Sequence, residues 1–160
     1  MRLNFLFVLV SLLIHSSTLL GNDNTKDLKW SALEGWELLP ARAMVLESYQ
    51  RKTDSGPVKM SITVFPGDVG GDLANVNRWL RQSGMDAVTE DTLPTVLKQE
   101  TIAGREWKKV NLTSKESGML VAYTMSAGKS WFFKITGPSA GIQSIEESFN
   151  SFLATVTSQK

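Results

Sequence analysis

Asn75, Arg78 and Gln82 recur at intervals of three and four residues, so on a helix they stack along one line, with Trp79 beside Arg78. A guanidinium flanked by two amides and an indole is a workable receptor for a carboxylate, a sugar or a peptide backbone, because its fork of N–H donors matches paired oxygens. Just upstream, Gly70-Gly71 leads backbone N–H groups to the helix start, where an anion can be held. A structural use competes at every position. The two glycines could serve only to reach positive φ, Asp68 and Asp72 would repel an anion from that helix end, and Trp79 could belong to the core. Asn77, near the apolar side, would need buried partners and could tie the neighbouring loop.

Other chemistries are narrowed by composition. The 160 residues include no cysteine and one histidine, His15, which lies in an N-terminal apolar stretch together with Arg2. Without that stretch, 16 basic residues face 16 acidic ones and no imidazole remains. Thiol or histidine nucleophiles, a Ser-His-Asp triad and imidazole or thiolate zinc sites are thereby excluded, so no catalytic residue, metal site or cofactor is expected. Carboxylates are the acid-base groups left, but Glu90/Asp91 and Glu146/Glu147 are adjacent in sequence and diverge on a helix instead of facing across a cleft. Asp86, Glu90 and Asp91 lack the spacing of a calcium loop. Lys108-Lys109 and Arg51-Lys52 are too few for a nucleic-acid footprint on a neutral chain.

Met1-Arg2 followed by a largely apolar run through Ile14 has the form of a secretory signal, with cleavage expected near Gly21 although Leu19 fits the small-residue rule poorly. An uncleaved anchor is the alternative, and it would be the chain's contact with a membrane, since 3–20 approaches the roughly 20 residues that span a bilayer. The organisation read from this is a signal peptide over 1–21, a polar lead-in over 22–27 and one domain over 28–158. A domain of that size buries enough surface to fold without disulfides.

Within the domain the periodicity changes from 2 to 3.6 and back. Strands are expected over 41–50 and 58–64, where Val58, Met60, Ile62 and Val64 alternate with Lys59, Ser61 and Thr63. Asp72 is expected to cap a helix running to Ser83 and stopped by Gly84, with Leu73, Val76, Trp79 and Leu80 on the core side and Asn75, Arg78, Arg81 and Gln82 on the polar side. Residues 85–94 show little periodicity. Strands over 96–102, 107–112, 119–125 and 131–135 follow as two hairpins, and Ser139 is expected to cap a last helix carrying Ile142, Ile145, Phe149, Phe152, Leu153 and Val156. Trp131 alternates with Phe133 and Ile135 as an inward row, while Trp30 and Trp36 are open between core and surface. The expected class is α+β: an antiparallel sheet of about six strands with one central and one C-terminal helix packed on it.

Gly70-Gly71 followed by Asn75-Val76-Asn77-Arg78-Trp79 and Gln82, together with the run Trp131 to Pro138 before a helix bearing Phe149 and Phe152, resembles a family of exported bacterial proteins of uncharacterised function. Its layout is similar to the PsbP-like, or Mog-type, α-β-α sandwich. Established roles in that fold are non-catalytic, so the resemblance implies a binding or accessory protein of the periplasm or cell envelope, with another envelope protein as partner and no nucleic acid. A small-ligand or lipid carrier with a pocket between helix and sheet, and a carboxylate-dependent hydrolase, are the alternatives. A large apolar cavity would favour the carrier, two facing carboxylates the enzyme, and a filled core with an exposed Arg/Trp patch the partner-binding module.

Overall fold

The computed structural model describes residues 27–159. The signal segment expected over 1–21, and all but the last residue of the lead-in over 22–27, lie outside the described residues.

Period-2 alternation sets up the sheet. Strand β1 (Leu28–Lys29) and strand β2 (Glu37–Leu38) precede β3 (Glu47–Thr53) and β4 (Gly56–Pro66), which form a hairpin closed by Asp54-Ser55. The strand expected over 41–50 begins later, because Arg42 and Val45 bridge across a tight turn with Met44 at φ 62, in the left-handed region. Helix α1 (Gly71–Gln82) follows, then a short helix α2 (Leu93–Val96), with Pro94 in its first turn, which begins at the end of the aperiodic 85–94 stretch and takes Val96 from the strand expected over 96–102. Strands β5 (Leu97–Ile102), β6 (Arg105–Thr113), β7 (Ser117–Ser126) and β8 (Lys129–Pro138) form the two expected hairpins. Helix α3 (Ser139–Ala154) and strand β9 (Thr157–Ser158) complete the order.

The main sheet is antiparallel with seven strands in the order β2-β3-β4-β8-β7-β6-β5, and β1 pairs with β9 in a separate two-stranded ribbon. The expected six strands and two helices are therefore short of the seven-stranded sheet, the ribbon and the third helix. The additions are elements of two to four residues, below the length at which periodicity is legible. Pairing of β4 with β8 places Ile62 opposite Phe133 and Ser61 opposite Lys134, joining the first hairpin to the last across some seventy residues.

Each face of the sheet has its own core. On one, α3 lays Ile142, Ile145, Phe149 and Leu153 against Val58, Met60, Ile62, Trp131, Phe133 and Ile135. Trp131 is fully buried as its alternation implies, and Trp30 packs its edge on Trp131 and Phe133 while remaining partly exposed. Trp36 is likewise a partly buried neighbour of this core. On the other face, α1 lays Val76, Trp79 and Leu80 against Val110, Leu112, Met119, Val121, Tyr123 and Phe132. Each such large apolar side chain contributes about 1.5–3 kcal/mol on burial. Close approach of α3 depends on Gly118, where a Cβ would stand 2.9 Å from Ile142 Cγ1. Ser139 is the first residue of α3 and not its cap. Pro138 precedes it at the cap position, and the Ser139 hydroxyl donates instead to the Ser114 carbonyl at 2.7 Å.

Candidate functional site

The start of α1 decides which residues of the Asn/Arg/Trp motif are available to a ligand. Gly70 and Gly71 both have positive φ, 80° and 69°, and Gly70 takes the cap position with no side-chain cap bond. The expected cap Asp72 thus falls inside the first turn, where its carboxylate suits the positive helix end. It is also committed to the sheet: Oδ2 lies 2.6 Å from Lys108 Nζ and Oδ1 accepts from the Tyr123 hydroxyl at 2.8 Å. Burial, then the bond to Asp72 and the charges of Asp72 and Asp68, push the Tyr123 phenol well above its ordinary pKa.

Asn75, expected on the polar side, is 2% exposed. Its Nδ2 donates to the carbonyls of Val69 and Gly71 at 2.7 and 2.8 Å, and its Oδ1 accepts from Arg78 Nη2 at 2.6 Å. The amide clamps the glycine loop to the helix, since a buried amide finds its lowest energy by satisfying backbone groups around it. Asn77 does the same on the other side, exchanging two bonds with the backbone of Val88. Gly70 and Gly71 serve this turn. Trp79 is 3% exposed and packs on Tyr123 and Phe132. Arg78, with its guanidinium carbon 5.9 Å from the Trp79 ring centroid, and Gln82 remain exposed.

Arg78, Trp79 and Gln82 form one wall of a trough on the α1 face of the sheet. The apolar patch of this face ends at Phe132 of β8 and Phe65 of β4, with ring centroids 6.1 Å apart. Beyond it, β4 presents Thr63, Ser61 and Lys59 opposite Phe132, Lys134 and Thr136 of β8, and β3 adds Ser48 opposite Ser61. The turn at 42–45 forms the facing wall with Arg42 and Val45. Two adjoining depressions of about 290 and 190 Å³ share Arg42, Val45, Ser61 and Lys134. Their linings hold four cations, Arg42, Lys59, Arg78 and Lys134, and no carboxylate. Among the described residues none of the four forms an ion pair. Lys134 sits in a central strand, and burial followed by the charge of Arg78 lowers its ammonium pKa from the usual 10.5. The Ser48 hydroxyl at the end of the trough is buried without a hydrogen-bond partner among the described residues.

Of the residues singled out in the sequence, Arg78, Trp79 and Gln82 come together here, and Asn75, Gly70 and Gly71 stand behind them as supports. Arg42, Lys59, Ser61 and Lys134 were missed. Lys134 had a signal, a lone cation inside an otherwise apolar run, and Lys59 and Ser61 were visible as the polar alternates of β4.

A larger cleft of about 720 Å³ opens where β6 and β7 part beyond the Lys108–Tyr123 rung. Several of its polar groups are engaged, Asp72 with Lys108 and Tyr123, Glu106 with Thr101 just outside the lining, and Arg105 Nη2 with the Ser158 hydroxyl at 2.9 Å, while Arg105 Nε and Trp107 Nε1 are buried with no hydrogen-bond partner among the described residues. Its charges are of both signs, Asp68, Asp72 and Glu106 beside Arg105 and Lys108, so a lining of one sign distinguishes the smaller trough from the larger cleft.

No family model matches the chain, and no curated protein matches it. Solved structures do. The chain is similar to cyanobacterial PsbP (CyanoP) from Synechocystis sp. PCC 6803, with a TM-score of 0.56 and 11% identity over 86% of this chain and 89% of that one. It is similar to LpqN of Mycobacterium tuberculosis, described as involved in cell envelope biogenesis, at TM-score 0.51 and 12% identity over 83% of each chain. A Bacteroides thetaiotaomicron VPI-5482 structure gives TM-score 0.51 and 13% identity over 84% of this chain, which spans 46% of that longer one. At these identities the likeness is one of fold: the chain has a PsbP-like α+β architecture.

Proposed function

We propose that the chain is an exported, non-catalytic accessory protein of the cell envelope that binds an anionic partner protein through the trough between α1 and the 42–45 turn. The observation that carries this reading is the gathering of Arg42, Lys59, Arg78 and Lys134 on one face with no carboxylate in the lining, in a chain whose charges nearly balance overall. A fold places like charges together at a cost, and such a patch raises the local concentration of an oppositely charged partner. Export is supported by the signal-like N-terminus and by the fold shared with LpqN, a protein involved in cell envelope biogenesis.

The hydrolase reading has less behind it, because two of the three carboxylates lining the large cleft, Asp72 and Glu106, are already engaged by neighbouring side chains, which leaves Asp68 without a free second carboxylate. The carrier reading is likewise weaker, because that cleft mixes acids, bases and aromatics where a lipid would want an apolar cavity.

Cross-linked capture from the envelope fraction, run in parallel with the native chain and a Lys59→Gln/Lys134→Met variant, tests the proposal. The native chain is expected to retain a partner that the variant loses. Equal recovery by both would refute the role of the trough.

A further inference from the structure

The spacing of the cations narrows the partner. Lys59 pairs with Thr136 and Ser61 with Lys134, so Lys59 and Lys134 are diagonal neighbours on one face, one two-residue step apart along the strands. That step is about 6.8 Å, and the diagonal Cα separation about 7–8 Å. An extended polypeptide repeats with the same step, because its residues i and i+2 point to the same side. Arg78 and Arg42 flank this pair from the two walls, and the hydroxyls of Ser61 and Thr63 lie along the same row of β4.

The rim carries a second, independent feature. Met44 is 80% exposed and held at φ 62, a conformation unfavourable for a residue with a side chain. The residues that close its turn, Arg42 and Val45, both line the trough, and Met44 lies between them in the chain, outside the lining itself. Exposed methionines of this kind adapt to apolar groups on a binding partner.

Building on the anion-binding reading above, we infer that the occupant is an extended acidic segment of another protein, with carboxylates at alternate positions that meet Lys59 and Lys134 and an apolar side chain that rests on Met44 and Val45. A free phosphate would span one rung of this row and leave the rim unused. A bilayer surface is too flat to bring headgroups to Lys134, which is half-buried at the floor between α1 and the turn.

The test is an affinity titration of the full chain with a labelled nonapeptide carrying glutamate at every second position, beside a peptide of the same composition with its glutamates in adjacent pairs. Inorganic phosphate and phosphatidylglycerol vesicles are titrated in parallel. The alternating peptide is expected to bind at least about fivefold tighter than the paired one, the free-energy scale of one well-placed charge contact. It should weaken as salt rises, lose about tenfold in Lys134→Met or Lys59→Gln, and lose a smaller factor in Met44→Ser. Lys59 is exposed, so Lys59→Gln gives a reading even if Lys134→Met were to misfold. Equal binding of the two peptides, or tighter binding of phosphate or vesicles, overturns the extended-segment inference while leaving the trough an anion site. Binding of none of these anions overturns the anion-site reading along with the inference.

Discussion

Lys134→Met is expected to make the protein more stable while it removes binding. The ammonium is half-buried in a central strand, has no ion-pair partner among the described residues, and is opposed by Arg78, whereas methionine keeps a flexible apolar side chain of similar reach in the same place. Relieving a half-buried like-charge contact of this kind is worth about 1 kcal/mol. For a domain of this size that corresponds to roughly 3–4 °C in Tm. The pH dependence gives the sharper signature. In the unfolded chain Lys134 keeps its proton up to its ordinary pKa of 10.5, but in the folded chain it releases it earlier. Below the folded value both states are charged and the cost of burial is felt in full. Between the two values the unfolded state binds more protons, so native stability rises with pH, and above 10.5 the cost is gone. Urea denaturation of both proteins from neutral pH to above pH 10.5 reads this out as the difference in midpoint at constant slope. The advantage of Lys134→Met should be largest at neutral pH and shrink towards 10.5. A variant less stable than the native chain at neutral pH, or an advantage that does not change with pH, would show that the Lys134 charge does not destabilise the fold.

Asn75→Ala removes two bonds to backbone carbonyls and one from Arg78, and at about 1 kcal/mol each it should cost about 2–3 kcal/mol in a denaturant titration, against less than about 1 for the exposed Arg78→Ala. Asn77→Ala should release the 85–92 segment, seen as faster hydrogen exchange at the amide of Val88 with α3 protection unchanged. Gly118→Ala forces a methyl to 2.9 Å from Ile142 and should lower stability by about 1–3 kcal/mol without touching the trough.

The long elements were legible because their signals are local. The alternation from Val58 to Val64 located β4, and the apolar spacing from Ile142 to Leu153 located α3. What escaped was non-local or too short. Met44 takes a left-handed conformation without being glycine, so the sequence carries no mark of the turn that delays β3. Counting around the helix put Asn75 with the polar residues, but an amide reaches back to the loop before it, and the positive φ at both Gly70 and Gly71 brings those carbonyls within range. The trough depends on the pairing of β4 with β8, which sets Ser61 beside Lys134. Each polar residue could be noticed alone, but only that register assembles them, and Arg42 had no local signal.

If the trough is the binding site, a partner contacts it and not the larger cleft. Backbone amide shifts of the isotopically labelled chain, followed while the alternating acidic peptide is added, test this most directly. The perturbed amides are expected to cluster at Arg42, Val45, Lys59, Ser61, Arg78 and Lys134. Perturbation centred instead on Arg105, Trp107 and Lys108 in the cleft would contradict binding at the trough.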